Sequence, residues 1–218
     1  VDMLAEEHDI VARFNGGNNA GHTVVLPDER VLKLHLMPSG IAHEHTVNVI
    51  GNGTLINPQK LSEEIDGLAE QDIEVSKQNL KISSAAHLIL PFHVSEDEIR
   101  EAGSGSQGST KSGIAQVAAA KYMRVGARVE MINNDPNLLQ SLVCEGLKAQ
   151  RQARQELDLE PIDESEVAEQ FLLGIRKIGQ FVTDTSFFLN QELRREKPAR
   201  VLAEGAQAFL LDIDHGMY

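Results

Sequence analysis

The sequence predicts an α/β protein, and three observations carry that prediction. Short apolar runs in the first half are each closed by a turn signal. Long stretches of the second half repeat apolar residues every three or four positions. A final apolar run, Val201-Leu202-Ala203, stands just ahead of Gly205. Strands followed by helices make a sheet covered by helices. The stretch 113–197 is rich enough in helix formers to read as an inserted helical subdomain.

Taken in order, Val1-Asp2-Met3-Leu4-Ala5-Glu6-Glu7 reads as the closing turns of a helix, so the chain is expected to begin inside an element. Ile10-Val11-Ala12-Arg13-Phe14 reads as a strand and runs into a Gly/Asn-rich loop. Val31-Leu32-Lys33-Leu34-His35-Leu36 alternates at period two beside a turn at Pro27-Asp28, and Pro38-Ser39-Gly40 breaks the chain. Val47-Asn48-Val49-Ile50 is a further strand closed by Gly51-Asn52-Gly53. Asn57-Pro58 then opens a helix through Leu61, Ile65 and Leu68. Leu88-Ile89-Leu90 is an apolar run ended by Pro91. Beyond a Gly/Ser stretch at 103–110, helices are predicted over 115–124, 138–157 and 166–193, and Val201-Leu202-Ala203 is a buried strand.

With 218 residues, 41% hydrophobic and 24% charged, the composition is that of a globular chain able to bury a core in one or two domains. A formal charge of -13 excludes the usual nucleic-acid or acidic-membrane surface, which needs clustered Lys and Arg. It leaves mononucleotides open, because a few local amides suffice to hold phosphate. The one cysteine, Cys144, allows no intrachain disulfide and reads as a small hydrophobe. No window is long and apolar enough to span a bilayer. The first residues have neither the basic region nor the apolar core of a secretory leader, so a cytoplasmic protein is expected.

Asn19-Ala20-Gly21-His22-Thr23 follows a strand in a loop with two glycines ahead of it, where backbone amides, an Asn and a His can be aimed at one point. His22 suits a general acid or a stabiliser of charge on a phosphoryl oxygen. Equally, Asn and His can simply satisfy the loop's own backbone, and four residues with one His favour that plainer reading when taken alone. Gly108-Ser109-Thr110-Lys111 could cradle a phosphate or be a solvated turn. Glu204-Gly205-Ala206-Gln207 lies where α/β proteins bind ligands, past the end of a strand. Asp212, Asp214 and His215 have metal-ligand residue types but no spacing that sets a coordination number, and a structural role is expected. His43 and His45 read as an exposed pair.

Together and in order, these segments resemble adenylosuccinate synthetase. The matching phrases are Val1-Asp2-Met3-Leu4-Ala5, Gly16-Gly17-Asn18-Asn19-Ala20-Gly21-His22-Thr23, Lys33-Leu34-His35-Leu36-Met37-Pro38-Ser39-Gly40-Ile41 and Ile50-Gly51-Asn52-Gly53. Further on come Glu63-Glu64-Ile65, Ala86-His87-Leu88-Ile89-Leu90-Pro91-Phe92-His93, and Leu202-Ala203-Glu204-Gly205-Ala206-Gln207 through Leu211-Asp212-Ile213-Asp214-His215-Gly216. They span nearly the whole chain. The resemblance implies a central, largely parallel sheet flanked by helices, in a P-loop-like arrangement with a helix-rich insertion. Residues 1–218 would be part of one synthetase domain, incomplete at both ends.

The resemblance also implies a chemistry. The family joins IMP and L-aspartate at the expense of GTP, with Mg2+, phosphorylating the purine 6-oxygen and then displacing that phosphate with the amino group of aspartate. In its pattern a Gly-Asp-Glu-Gly-Lys-Gly-Lys loop, carrying the general-base Asp and a Mg2+ ligand, lies immediately before the position of Val1. The aspartate loop and the guanine-specificity motif lie after Tyr218. The 218-residue chain by itself is therefore expected to be inactive. Carried over residue by residue, His22 matches the catalytic histidine, and Asn19, Ala20, Gly21 and His22 match the IMP-contacting loop. Gly21, His22 and Thr23 match contacts to GTP, with the Gly21 carbonyl offered to Mg2+. Thr110 matches a threonine on the IMP phosphate, Gln207 a glutamine near the purine, and Arg124 the arginine that reaches the IMP of a neighbouring subunit in a homodimer.

The departures from the family pattern cluster in one place. Where the family has Gly-Thr-Thr-Gly-Arg-Gly-Ile-Gly-Pro-Ala-Tyr-Glu-Asp-Lys, this chain keeps the length but reads Gly108-Ser109-Thr110-Lys111-Ser112-Gly113-Ile114-Ala115-Gln116-Val117-Ala118-Ala119-Ala120-Lys121. Ser112 stands in place of an arginine near aspartate, and Ala208 replaces the glycine after Gln207. These changes motivate one alternative, a variant synthetase acting on another purine nucleotide such as deoxyguanylate; a second alternative, a nucleotide-binding homologue without catalysis, would need the native gene to lack the phosphate loop as well.

Overall fold

The computed structural model describes residues 1–218 except Gly105, Gln107, Ile213 and Tyr218, and nothing is said of the Asp2 side chain. Parts of the Gly/Ser stretch and of the 211–216 phrase thus lie outside the described residues. The chain opens with a short helix α1 (Asp2–Ala5), in keeping with the helix end read there, and enters the first strand β1 (Ile10–Arg13). An antiparallel hairpin follows, β2 (His22–Val25) and β3 (Val31–Leu34), then a 3-10 turn at Ser39–Ala42 and β4 (Val47–Ile50). After β5 (Leu55–Ile56), helix α2 (Pro58–Ala69) starts with Asn57 accepting the Lys60 amide and Pro58 in the first turn, the start signal seen in the sequence.

Next come β6 (Leu80–Ser83), β7 (His87–Leu88) and α3 (Pro91–Ala102). They are followed by α4 (Ile114–Met123), α5 (Met131–Asn134), the long α6 (Pro136–Glu156) and α7 (Glu164–Ile178). The expected helix over 166–193 is interrupted. A 3-10 turn at Gly179–Phe181 leads into β8 (Val182–Thr183), and α8 (Thr185–Leu193) restarts with Asp184 accepting the Phe187 amide. The side-chain cap at Asp184 ends one element and begins another inside a run whose residues all tolerate a helix. The strand β9 (Val201–Glu204) closes the sheet.

β8, β6, β4, β1 and β9 form one sheet in that order, with every pairing parallel. This is the α/β architecture expected. β3 stops at Leu34 rather than Leu36 because the amides of His35, Leu36 and Met37 turn away to the Glu64 carboxylate on α2, at 3.1, 2.9 and 3.0 Å. α2 packs on α7, α3 on α4 and α6, and α6 on α7. One apolar cluster runs from Ile50 and Ile82 in the sheet through Leu61 and Ile65 to Leu139, Val143, Phe171 and Ile175. The helices between 131 and 178 therefore share the core of the sheet. No described helix is long and apolar enough to cross a membrane.

Candidate active site

Arg13 and Glu204, the last residues of β1 and β9, are register partners across the parallel pair. β4, β6 and β8 lie on one side of β1 and β9 lies on the other, so the strand order switches direction at β1. In open parallel sheets, ligands enter the crevice outside the carboxyl ends of the strands beside such a switch. Loop 14–21 leaves β1 at this point, and loop 205–208 leaves β9.

The two loops are latched together. The Ala206 amide donates to Asn15 Oδ1 at 2.8 Å. Gly16 sits at φ 81, where an L side chain is strained, and a Cβ there would lie 2.5 Å from the Ala206 Cβ. Below them, Arg13 is 1% exposed and Glu204 4%. Arg13 Nη2 donates to the Gly17 carbonyl at 3.2 Å, and its Nη1 lies 3.7 Å from Glu204 Oε1. Glu204 Oε2 accepts from the Ser39 amide at 2.9 Å and from its hydroxyl at 2.7 Å. One buried ion pair thus ties the loop after β1, the turn at Ser39 and the end of β9 into a single scaffold. Burial lowers the Arg13 pKa, and the Glu204 and Glu64 charges oppose that shift, as a buried charge requires.

His22 stands at the start of β2, above this pair. Its Nε2, Asn18 Oδ1 and Asn19 Oδ1 are buried and without a hydrogen-bond partner. Burial is the main cause lowering the His22 pKa. Arg13 and His35 add to the shift, while Glu204 and Glu64 oppose it, so the ring is neutral near pH 7. A cavity of about 330 Å³ is lined by Arg13, Ala20, Gly21, His22, Glu204 and Gln207, among others. Gln207 reaches it from a left-handed backbone conformation, φ 82.

Four predicted site residues, Ala20, Gly21, His22 and Gln207, therefore meet at one cavity, with Asn19 in the same loop. Thr23 is exposed on β2, opposite Lys33. Thr110 and Arg124 do not line this cavity. Thr110 is exposed in the loop before α4, its hydroxyl donating to Ser112 Oγ at 3.0 Å, and Arg124 caps α4 in the left-handed region at φ 64. The start of α4 does approach the loop before His22: a Cβ on Gly17 would lie 2.4 Å from Ile114 Cδ1. Ser112 and Asn18 share a second cavity, of about 560 Å³, with Lys33, His35, Lys60 and Glu64.

The sequence alone reads Arg13 as part of a strand and places Glu204 at the start of a ligand-side turn without giving either a role of its own. The available signal was one charge at the end of each of two otherwise apolar runs. Among the described residues, no three His, Cys, Asp or Glu side chains converge on a metal site. Asp212 accepts the amides of Asp214 and His215, at 3.0 and 2.9 Å, and so shapes its own turn, the structural role expected.

The family model of adenylosuccinate synthetase matches residues 1–218. The adenylosuccinate synthetase of Bacillus cereus is 40% identical over 220 residues and that of Pelotomaculum thermopropionicum 41% over 221, each alignment covering 100% of this chain and 50% of the relative. The chain thus spans half the length of the curated relatives it matches. Among solved structures, the fully ligated adenylosuccinate synthetase of Plasmodium falciparum superposes with a TM-score of 0.79 at 32% identity, over 100% of this chain and 50% of that one. A cyanophage S-2L succinoaminodeoxyadenylate synthetase, solved with dGMP and dATP, shares the fold with a TM-score of 0.59 at 24% identity, again over 100% of this chain and 50% of its own. With the sheet, the switch-point crevice and the full-length family match in agreement, this chain belongs to the adenylosuccinate synthetase family.

Proposed function

We propose that this chain carries part of the active site of a GTP-dependent ligase that joins IMP and L-aspartate to form adenylosuccinate through 6-phosphoryl-IMP. The observation that carries the reading is the meeting of His22, Gly21 and Gln207 at the switch-point cavity, with buried Asn19 Oδ1 and His22 Nε2 left without partners. Orphaned polar atoms in a ligand crevice are where substrate hydrogen bonds are made.

In this reading the γ-phosphoryl group of GTP passes to the purine 6-oxygen. The aspartate amino nitrogen then forms its bond to C6 as phosphate leaves. A neutral His22 donates an N–H to the phosphoryl oxygen as charge builds there, Asn19 and Ala20 hold the IMP, and Gln207 faces the purine. Thr23 contacts the GTP phosphates. Mg2+ would neutralise phosphate charge, and it demands oxygen ligands. Among the described residues lining the cavity the one carboxylate, Glu204, is already shared between Ser39 and Arg13, so the Gly21 carbonyl is the oxygen that would be offered to the ion. Thr110 takes the IMP phosphate. Arg124 serves the neighbouring subunit of a homodimer. Tyr122, Met123 and Val125 around it are 77%, 71% and 71% exposed, an apolar surface that a partner would cover. The corresponding domain reading is one synthetase domain containing residues 1–218, with 113–197 as its helix-rich part, in a cytoplasmic enzyme.

The test is an assay of the native gene product with GTP or ATP, aspartate, and IMP or deoxyguanylate. Turnover with IMP that falls at least about 100-fold in His22→Ala supports the reading. Ser112 beside Asn18, where the family has arginine, favours a second reading on another purine, which turnover with deoxyguanylate alone would establish. No turnover with either would leave a nucleotide-binding homologue.

A further inference from the structure

We infer that Asp97, with Glu101 one turn further along α3, is the positioning residue that holds residues 108–113 in a single conformation and so presents the Thr110 hydroxyl. Asp97 is 3% exposed, yet its side-chain partners among the described residues come from the loop or the turn after it. Its Oδ2 accepts from Ser109 Oγ at 2.8 Å and from the Gly113 amide at 3.0 Å, and its Oδ1 accepts from Gln116 Nε2 at 3.3 Å. Glu101, four residues on and so on the same helix face, takes Ser106 Oγ and the Gly108 amide, both at 3.0 Å. The two carboxylates grip the loop at both ends and leave Thr110, Lys111 and Ser112 as its span.

The grip has two consequences. Within the span, Lys111 is held at φ 53 with its amide donating to Ser109 Oγ at 3.1 Å, so the Ser109 hydroxyl relays the Asp97 anchor to the residue after Thr110. At the far end Gly113, φ 70, lies so close to α3 that a Cβ would be 2.9 Å from the His93 carbonyl carbon and the Val94 nitrogen. This contact sets the start of α4, whose first residue, Ile114, packs on Gly17 of the loop leading to His22. Asp97 thereby fixes where the Thr110 span stands relative to the His22 loop. No contact among those described ties Thr110 to α3 by itself.

The inference rests on the reading of Thr110 as the IMP-phosphate contact, so the test pairs a readout that needs no substrate with one that does. In the native gene product, amide hydrogen exchange across 108–113 is compared for wild type, Asp97→Ala, Asp97→Asn and Ser109→Ala, together with KM for IMP and kcat. Asp97→Ala is expected to speed exchange at Gly113 and raise KM for IMP about tenfold while kcat stays within about twofold, since it deletes three charge-assisted bonds remote from the reacting atoms. Asp97→Asn should come close to wild type. Its one oxygen can keep Ser109 and Gly113, and the Gln116 amide can turn so that its carbonyl, unpartnered now, accepts from the new amide. Ser109→Ala, an exposed and fold-neutral change, should raise KM about threefold, which keeps the test intact if Asp97→Ala fails to fold. Unchanged exchange in Asp97→Ala overturns the inference. So does faster exchange with unchanged KM for IMP, which detaches Asp97 from Thr110's task. If wild type turns over no IMP, the ligase reading falls, and the exchange data alone decide whether Asp97 holds the loop.

Discussion

The two loops that carry the candidate residues are built in opposite ways. Loop 14–21 is latched from beneath by a buried guanidinium–carboxylate pair, and the Oδ1 atoms of its Asn18 and Asn19, like Nε2 of His22 just beyond it, are buried without partners. The loop before α4 is exposed over 108–111, with the Ser109 and Thr110 hydroxyls and the Gly108 and Gly113 amides satisfied within the loop and by two helix carboxylates. A loop whose side chains are already paired can hold its shape in water. A loop with buried, unpaired groups waits for a ligand and must be held rigid from below. Perturbing the first should therefore cost stability, and perturbing the second should cost mainly binding.

The largest effect is expected at the buried pair. Arg13→Met leaves Glu204 buried with only Ser39 as partner and should lower the unfolding free energy by about 3–4 kcal/mol in urea titration. A loss below about 1 kcal/mol would show that water reaches this pair and that the comparison is wrong.

Next comes an acid sensitivity on the side of the second loop. His93 is 5% exposed, and its Nδ1 accepts the Leu90 amide at 3.0 Å; burial lowers its pKa to about 4. In the unfolded chain a histidine titrates near 6.5, so the contribution of the neutral ring is complete above that pH and is lost as pH falls toward about 4. The loss should reach about 3 kcal/mol. His93→Gln keeps an acceptor for Leu90 in the manner of a capping box, and unfolding at pH 4.5 and 7.5 should show the difference between variant and wild type shrink accordingly.

A similar loss, about 2–3 kcal/mol, is expected for Glu64→Ala, which strands the amides of His35, Leu36 and Met37; amide exchange at these three should rise together. The smallest effect belongs to Thr110→Ala. Exposed and bonded only to Ser112, it should change stability by less than about 0.5 kcal/mol while weakening IMP binding, as thermal melts with and without IMP would report.

Elements with a complete local signature were legible. β1, β4 and β9 are apolar runs bounded by turns, α2 has a cap and a proline, and α6 repeats apolar residues from Leu139 through Val143 to Leu147. β8 was hidden because two residues carry no periodicity and their neighbours favour helix. β3 was read two residues too long because the group that ends it, Glu64, lies about 30 positions away in a helix.

By itself the sequence determined the α/β class and, through its ordered motifs, the resemblance that the family match bears out. It also marked the loop containing His22 as a place for chemistry. Only the tertiary structure decided that His22 and Gln207 share one cavity, that Arg13 meets Glu204 beneath them, and that Asp97 holds the span containing Thr110. The physical reason is range. Caps, turns and periodicity act over a few residues and are written locally, whereas parallel pairing joins Arg13 to Glu204 across most of the chain through a register that no local pattern specifies.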